Sequence, residues 1–193
     1  QVAEVQRMGE RGPVAGRGER AQVPVVAWAA GDGSGAHWLA RGGSGAARKE
    51  EAALRRLGDD AQRKTYLGYS DAGNLLGALY RAGIGKVAPG PMPSDIGRRG
   101  GDEAVRRALD WIVYQQRDTL EPTLTDGQRY AAFNVMTLAM MTGTKLMPDL
   151  KDHIVMVEEI SEYLYAFDRA MFHLCGNLAE QGLTGIRLGR VSD

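Results

Sequence analysis

The segment Lys64-Thr-Tyr-Leu67, then Gly68-Tyr-Ser-Asp-Ala-Gly73, then a leucine-rich stretch to Tyr80 is the strongest constraint on the fold. A short β-prone apolar run passes through glycine and a Ser-Asp pair into a helical pattern. Leu75, Leu76 and Leu79 fall on one side of that pattern, and Gly83 follows its end. A strand joined to a helix by so short a turn is half of a βαβ unit. Upstream, Val23–Ala30 and His37–Ala40 read as further short strands, and Ala46–Leu57 as a helix stopped by Gly58. Strands alternating with helices through short links predict an α/β protein with a parallel sheet.

The remainder reads as a second unit. Gly85–Gly101, with Pro89, Pro91 and Pro93, is loop-like. Asp102 is placed to cap a helix reaching Gln116, with Val105, Leu109, Ile112 and Val113 as its core stripe. Thr119–Gly127 is a connection, and Tyr130–Met141 a helix closed by Gly143. Ile154–Val157 is a strand. Tyr163–Leu178 is a helix with Leu164, Phe167, Met171 and Leu174 on one face, and Leu183–Leu188 a last strand. The expected organisation is an arm over 1–21, disordered for its Gly/Arg/Glu composition, a parallel α/β domain over 22–93 and a C-terminal domain over 94–193.

Composition narrows the function. The 24 basic and 24 acidic residues cancel, against a nucleic-acid binder that relies on a broad positive face. No apolar run approaches the roughly 20 residues of a membrane helix. The single cysteine, Cys175, excludes an internal disulfide or a Cys-based zinc site, and is expected to pack as a small apolar side chain. His37, His153 and His173 do not stand at metal-ligand spacing. No metal or cofactor is implied.

Three places could carry chemistry. Ser70 sits where a strand turns sharply into a helix. Such a turn lifts a hydroxyl clear of the backbone and aims the next N–H, that of Asp71, at the same point. Gly68 leaves steric room for it, although the following glycine stands one place later than in Gly-x-Ser-x-Gly. A Ser-Asp pair is equally an ordinary helix cap, so the local pattern leaves both readings open. Arg41-Gly-Gly-Ser-Gly45 could bring backbone N–H groups against an anion, or be a plain glycine-rich loop. Glu158-Glu159 ends an apolar strand. Adjacent carboxylates there point to opposite faces, so at most one enters a given site, and locally both read as solvated charges.

In chain order, Trp38-Leu-Ala-Arg-Gly-Gly-Ser-Gly45, Tyr66-Leu-Gly-Tyr-Ser-Asp71, Gly90-Pro-Met92, Met156-Val-Glu-Glu-Ile-Ser-Glu-Tyr-Leu-Tyr-Ala-Phe-Asp-Arg169 and Gly185-Ile-Arg-Leu-Gly189 together resemble the LD-carboxypeptidase family, the muramoyltetrapeptide carboxypeptidases and their microcin-immunity relatives. The resemblance implies a Rossmann-like N-terminal domain and a smaller mixed α/β C-terminal domain with the site between them. It implies a serine hydrolase with a Ser-Glu-His triad, in which Ser70 matches the nucleophile and Glu158 the acidic member. The oxyanion hole would come from the N–H of Asp71 and an N–H of the Gly42-Gly43 turn. The implied substrate is a muropeptide, cleaved between its L-centre and a terminal D-alanine in cytoplasmic peptidoglycan recycling, with a peptidyl-nucleotide of microcin type as the rival. The sequence departs from the family at Ser44, where an aromatic is usual, and at Pro89, where a histidine is usual. The family's catalytic histidine lies in a Gly-His segment beyond the position matching Asp193. The chain therefore reads as an incomplete, truncated member, inactive alone or a decayed homologue, with uncovered apolar surface that favours marginal stability or a homodimer.

Overall fold

The computed structural model describes Leu54 and residues 56–192. The sequence expectations for the arm, for the strands before residue 41, for most of the 46–57 helix and for the Gly42-Gly43 turn lie outside these residues.

A short helix α1 (Asp59–Gln62) leads into β1 (Thr65–Gly68), α2 (Ala72–Ala82) and β2 (Lys86–Pro89). β1 and β2 pair in parallel, Thr65 with Lys86 through Gly68 with Pro89, so 65–89 is a right-sized βαβ unit. α2 ends where Gly83 takes a left-handed φ of 67° and its N–H reaches back to the Leu79 and Tyr80 carbonyls. β2 falls inside the stretch expected to be loop. Its four residues, closed by Pro89, are too few to show a period, but Val87 and Ala88 are buried between layers.

After a 3-10 turn (Pro93–Gly97) comes α3 (Gly101–Tyr114). Its N-cap is Gly100 rather than Asp102, whose carboxylate instead pairs with Arg106. Its inward stripe is Val105, Ala108, Trp111 and Ile112, while Leu109 is exposed. This face packs with Leu67 and Ala88, so α3 covers one side of the β1–β2 pair although it lies beyond residue 94.

β3 (Arg129–Asn134), α4 (Val135–Met141), β4 (His153–Ile160), α5 (Leu164–Ala179) and β5 (Gly185–Ser192) complete the chain. All three strands run parallel, with β4 central. Residues 130–134 are strand, not the first turns of a helix. Tyr130, Ala131 and Phe133 are buried and ladder onto β4, and this tertiary pairing overrides the helical preference of the alanines. α4 and α5 cover one face of this sheet through Val135, Leu138, Met141, Ala170, Leu174 and Leu178. Leu164, expected on the core face, is exposed, as is Cys175. Met141 fills core, whereas Met140 is exposed.

α2 joins the two sheets by packing on α4. A Cβ at Gly73 would lie 3.1 Å from Thr137 Cγ2, and one at Gly77 would lie 2.5 Å from Met141 Cε. These two glycines, one helical turn apart, let the helices approach closely and so fix the Ser70 turn against the second sheet.

Candidate active site

Strands of both parallel sheets end on the same side, and the candidate residues gather there. β1 runs out at Gly68 and Ser70 follows in a left-handed conformation, φ 55°, before α2 begins. A non-glycine residue held at positive φ between strand and helix costs free energy, and it is the geometry that exposes a nucleophile's hydroxyl. Ser70 is exposed. Gly68 is required by contact: a Cβ there would stand 2.8 Å from the Ala72 Cβ. Ala72, where the elbow pattern has its second glycine, is therefore tolerated because Gly68 is bare. The Ala72 and Gly73 N–H groups bond back to the Tyr69 and Ser70 carbonyls. Among the described residues no acceptor takes the Asp71 N–H. Neither Ser70 nor Asp71 makes a side-chain cap to α2, so the plain-cap reading of this pair does not hold.

The turn is fastened from the other side by Tyr69. Its hydroxyl donates to Asp95 Oδ1 at 2.9 Å and accepts from Arg98 at 3.2 Å. Asp95 is buried and takes the Met92 N–H on its other oxygen. Burial foremost, then the Asp95 contact, pushes the Tyr69 phenol up from its ordinary range.

Glu158 is half-buried near the C-terminal end of β4, in register with Asn134 of β3. Burial first and the neighbouring Glu159 charge second push its carboxyl above the usual carboxylate range, while a hydrogen bond from Asn134 opposes them. Glu158 and Ser70 line one cavity of about 510 Å³, with Gly90, Pro91, Asn134, Met156, Arg187 and Gly189 among its walls. Glu159 points away from it. It is 3 % exposed, and accepts from Asn134 Nδ2 at 2.9 Å, Met136 N–H at 3.1 Å and Ile160 N–H at 3.1 Å. The opposite-face expectation holds, but Glu159 is buried and Glu158 half-buried rather than both solvated.

The two described histidines lie elsewhere. His153 is fully buried at the start of β4, roughly 16 Å along the strand from Glu158 at the usual rise per residue. Its Nδ1 is 2.8 Å from the Lys151 carbonyl, which can only accept, so Nδ1 carries the proton and Nε2 accepts from Tyr80 Oη at 2.7 Å. His173 is exposed on α5 against Asn177 of the same helix. A second depression of about 610 Å³ opens near Tyr80 and Arg129, at the other end of the sheet, with no serine or cysteine among its described lining residues. Among the described residues no group of three or more His, Cys, Asp or Glu could hold a metal ion. Nor, among the described residues, is any helix long and apolar enough to cross a membrane.

Sequence reasoning missed Asn134, Asp95 and Thr137. Asn134 had a signal, since an Asn directly before an apolar helical stretch is a preferred N-cap, and its Oδ1 accepts the Thr137 N–H at 3.1 Å. Placing residue 134 inside a helix hid it. Asp95 and Thr137 act through long-range bonds that no local pattern shows.

These features define an α/β protein whose serine-bearing elbow and strand-end carboxylate share a cavity at the C-terminal ends of parallel strands. Residues 129–193 match the family model for the LD-carboxypeptidase C-terminal domain. A Synechocystis sp. protein described as a carboxypeptidase is 29% identical over 147 residues, which is 69% of this chain and 45% of that protein. The muramoyltetrapeptide carboxypeptidase from Oxalobacter formigenes is 25% identical, with a TM-score of 0.55 over 67% of this chain and 47% of its own. MccF in complex with glutamyl sulfamoyl guanosine shares the fold, with a TM-score of 0.55 at 18% identity over 72% of this chain and 53% of its own. Residues 129–193 are thus similar to the LD-carboxypeptidase C-terminal domain, and the chain spans about half the length of the relatives it matches.

Proposed function

We propose that this chain carries the nucleophile and the acid of a serine carboxypeptidase that releases a terminal D-alanine from muramoyl tetrapeptides, in cytoplasmic peptidoglycan recycling. The observation that carries the proposal is the shared cavity. Ser70, on a left-handed turn, and Glu158, a half-buried carboxylate from a different sheet, line the same space.

In this reading Ser70 Oγ attacks the carbonyl carbon of the amide between the L-centre and D-alanine, and its proton passes to a histidine. The Asp71 N–H and an N–H of the Gly42-Gly43 turn receive the oxyanion. Collapse breaks the C–N bond, the imidazolium gives its proton to the departing D-alanine amine, and water then cleaves the acyl-enzyme. Glu158 holds the imidazole and stabilises its charged form. Burial and the Glu159 charge keep Glu158 a strong hydrogen-bond acceptor.

His153 and His173 are both committed away from the cavity, so the described residues supply no base. A serine hydroxyl without a base is a poor nucleophile at neutral pH. Turnover by the chain therefore requires a base from outside the described residues, and is expected to respond to one supplied from solution. The test is D-alanine release from a muramoyl tetrapeptide by the wild-type chain and by Ser70→Ala, with and without imidazole. The MccF likeness carries a second reading, hydrolysis of an aminoacyl or peptidyl nucleotide at the same serine. A sulfamoyl-nucleotide analogue that binds in preference to the tetrapeptide would favour it.

A further inference from the structure

Ser70 and Glu158 stand on different sheets, so their relative position must be held by something that spans the two. A continuous line of hydrogen bonds does this. Glu159, next to Glu158 on β4 but on the opposite face, grips Asn134 Nδ2 and the Met136 N–H at the first turn of α4. Asn134 Oδ1 caps the same turn at the Thr137 N–H. Thr137, 1 % exposed, then donates its hydroxyl to the Ser70 carbonyl at 3.1 Å. That carbonyl also takes the Gly73 N–H at 2.9 Å, so Thr137 bonds directly to the strained turn. The bare face of Gly73 admits the Thr137 methyl.

Each member of the line is needed for a physical reason. Three N–H donors converge on one buried carboxylate, and a neutral amide at 159 would set its own NH₂ against one of them. The Asn134 cap leaves α4 a fixed first turn, which sets where the Thr137 hydroxyl points. A residue at positive φ needs surroundings that over-determine it, and two donors on the Ser70 carbonyl do so.

We propose that Glu159 and Thr137 are positioning residues that lock the Ser70 turn to the strand carrying Glu158. The proposal rests on the reading of Ser70 and Glu158 as nucleophile and acid, and it extends that reading to residues that touch neither substrate nor reacting atoms. The test is native-state hydrogen exchange of the full chain, followed residue by residue by NMR, with melting curves, for wild type, Glu159→Gln, Thr137→Val and Thr137→Ser. Loss of one net hydrogen bond corresponds to about 3- to 10-fold easier local opening. Thr137→Val should speed exchange of the Gly73 and Asn74 amides by that factor, leave the α3 amides unchanged, and be reversed by Thr137→Ser, which restores the hydroxyl. Glu159→Gln should speed the same amides, though residue 159 lies far from them in sequence. A merely local role for Glu159 would speed only Met136 and Ile160. Exchange at 73–74 within twofold of wild type in both Glu159→Gln and Thr137→Val overturns the proposal; if Glu159→Gln does not fold, the Thr137 pair decides. The exchange readout needs no turnover. Failure of the nucleophile reading shows separately, as D-alanine release unaltered by Ser70→Ala.

Discussion

Gly68→Ala tests the elbow through its steric origin. The added Cβ would lie 2.8 Å from the Ala72 Cβ, where carbon atoms rest comfortably at about 3.5–4.0 Å. Both atoms are attached directly to backbone, so no rotamer change relieves the overlap of roughly 1 Å. Either the end of β1 moves out of its ladder with Pro89 or α2 retreats from the turn. Overpacking of this kind costs about 1–3 kcal/mol. In a chain of this length that corresponds to a fall in melting temperature of about 2–12 °C. Ala72→Gly removes the other half of the clash. The double variant should therefore recover much of the loss, giving a favourable coupling of about 1–2 kcal/mol in a double-mutant cycle. The assay is thermal or urea unfolding of the two single variants, the double variant and wild type. A Gly68→Ala protein that melts with wild type, or a double variant whose losses simply add, would refute the close approach of strand and helix on which the exposure of Ser70 depends.

Ser70→Gly should stabilise the fold by up to about 1 kcal/mol, because glycine removes the left-handed strain and loses part of that gain to unfolded-state entropy; a lower melting temperature would contradict the φ of 55°. Glu158→Gln should melt above wild type at neutral pH. A carboxyl whose folded-state affinity for a proton is raised stabilises below the ordinary carboxylate range and loses that contribution as pH rises, so the gap should close on acidification. Any base-assisted, Ser70-dependent turnover should fall in the same variant, by on the order of 10⁴-fold if Glu158 is the triad acid. Burial holds the His153 imidazole below its usual range, so its contribution is present above about pH 6.5 and lost as pH falls; melting curves of wild type between pH 8 and pH 5 should slope accordingly, and those of His153→Leu should slope less.

Local rules made the first unit legible. The β1–turn–α2 sequence carries its own punctuation in Gly68, Ser70 and Gly83, and the structure follows it to within two residues. The central strand β4 and helix α5 were legible for the same reason, as a β-branched run and a long amphipathic one. What failed was set by packing. β2 is four residues long and closed by a proline, and the alanines of β3 become strand only because β4 lies beside them. Leu109 fits a stripe by spacing, but Trp111 and Ala108 take its place against β1 and β2. At the site, Ser70 and the choice between Glu158 and Glu159 came from the order of several motifs, not from either residue's surroundings. The brace through Asn134 and Thr137 was invisible, because Thr137 and Ser70 are brought together across 67 positions. Glu159, which reads locally as a solvated charge, is among the most buried polar groups described.

The central claim is that Ser70 is a nucleophile facing Glu158 across a cavity that holds the peptide. Imidazole rescue tests it most directly: D-alanine release from a muramoyl tetrapeptide, measured over a series of imidazole concentrations at neutral pH, for wild type, Ser70→Ala and Glu158→Gln. The account predicts that release rises with imidazole in wild type. It predicts no such rise in Ser70→Ala, and a strongly reduced one in Glu158→Gln. Release that is the same in wild type and Ser70→Ala at every imidazole concentration would contradict it.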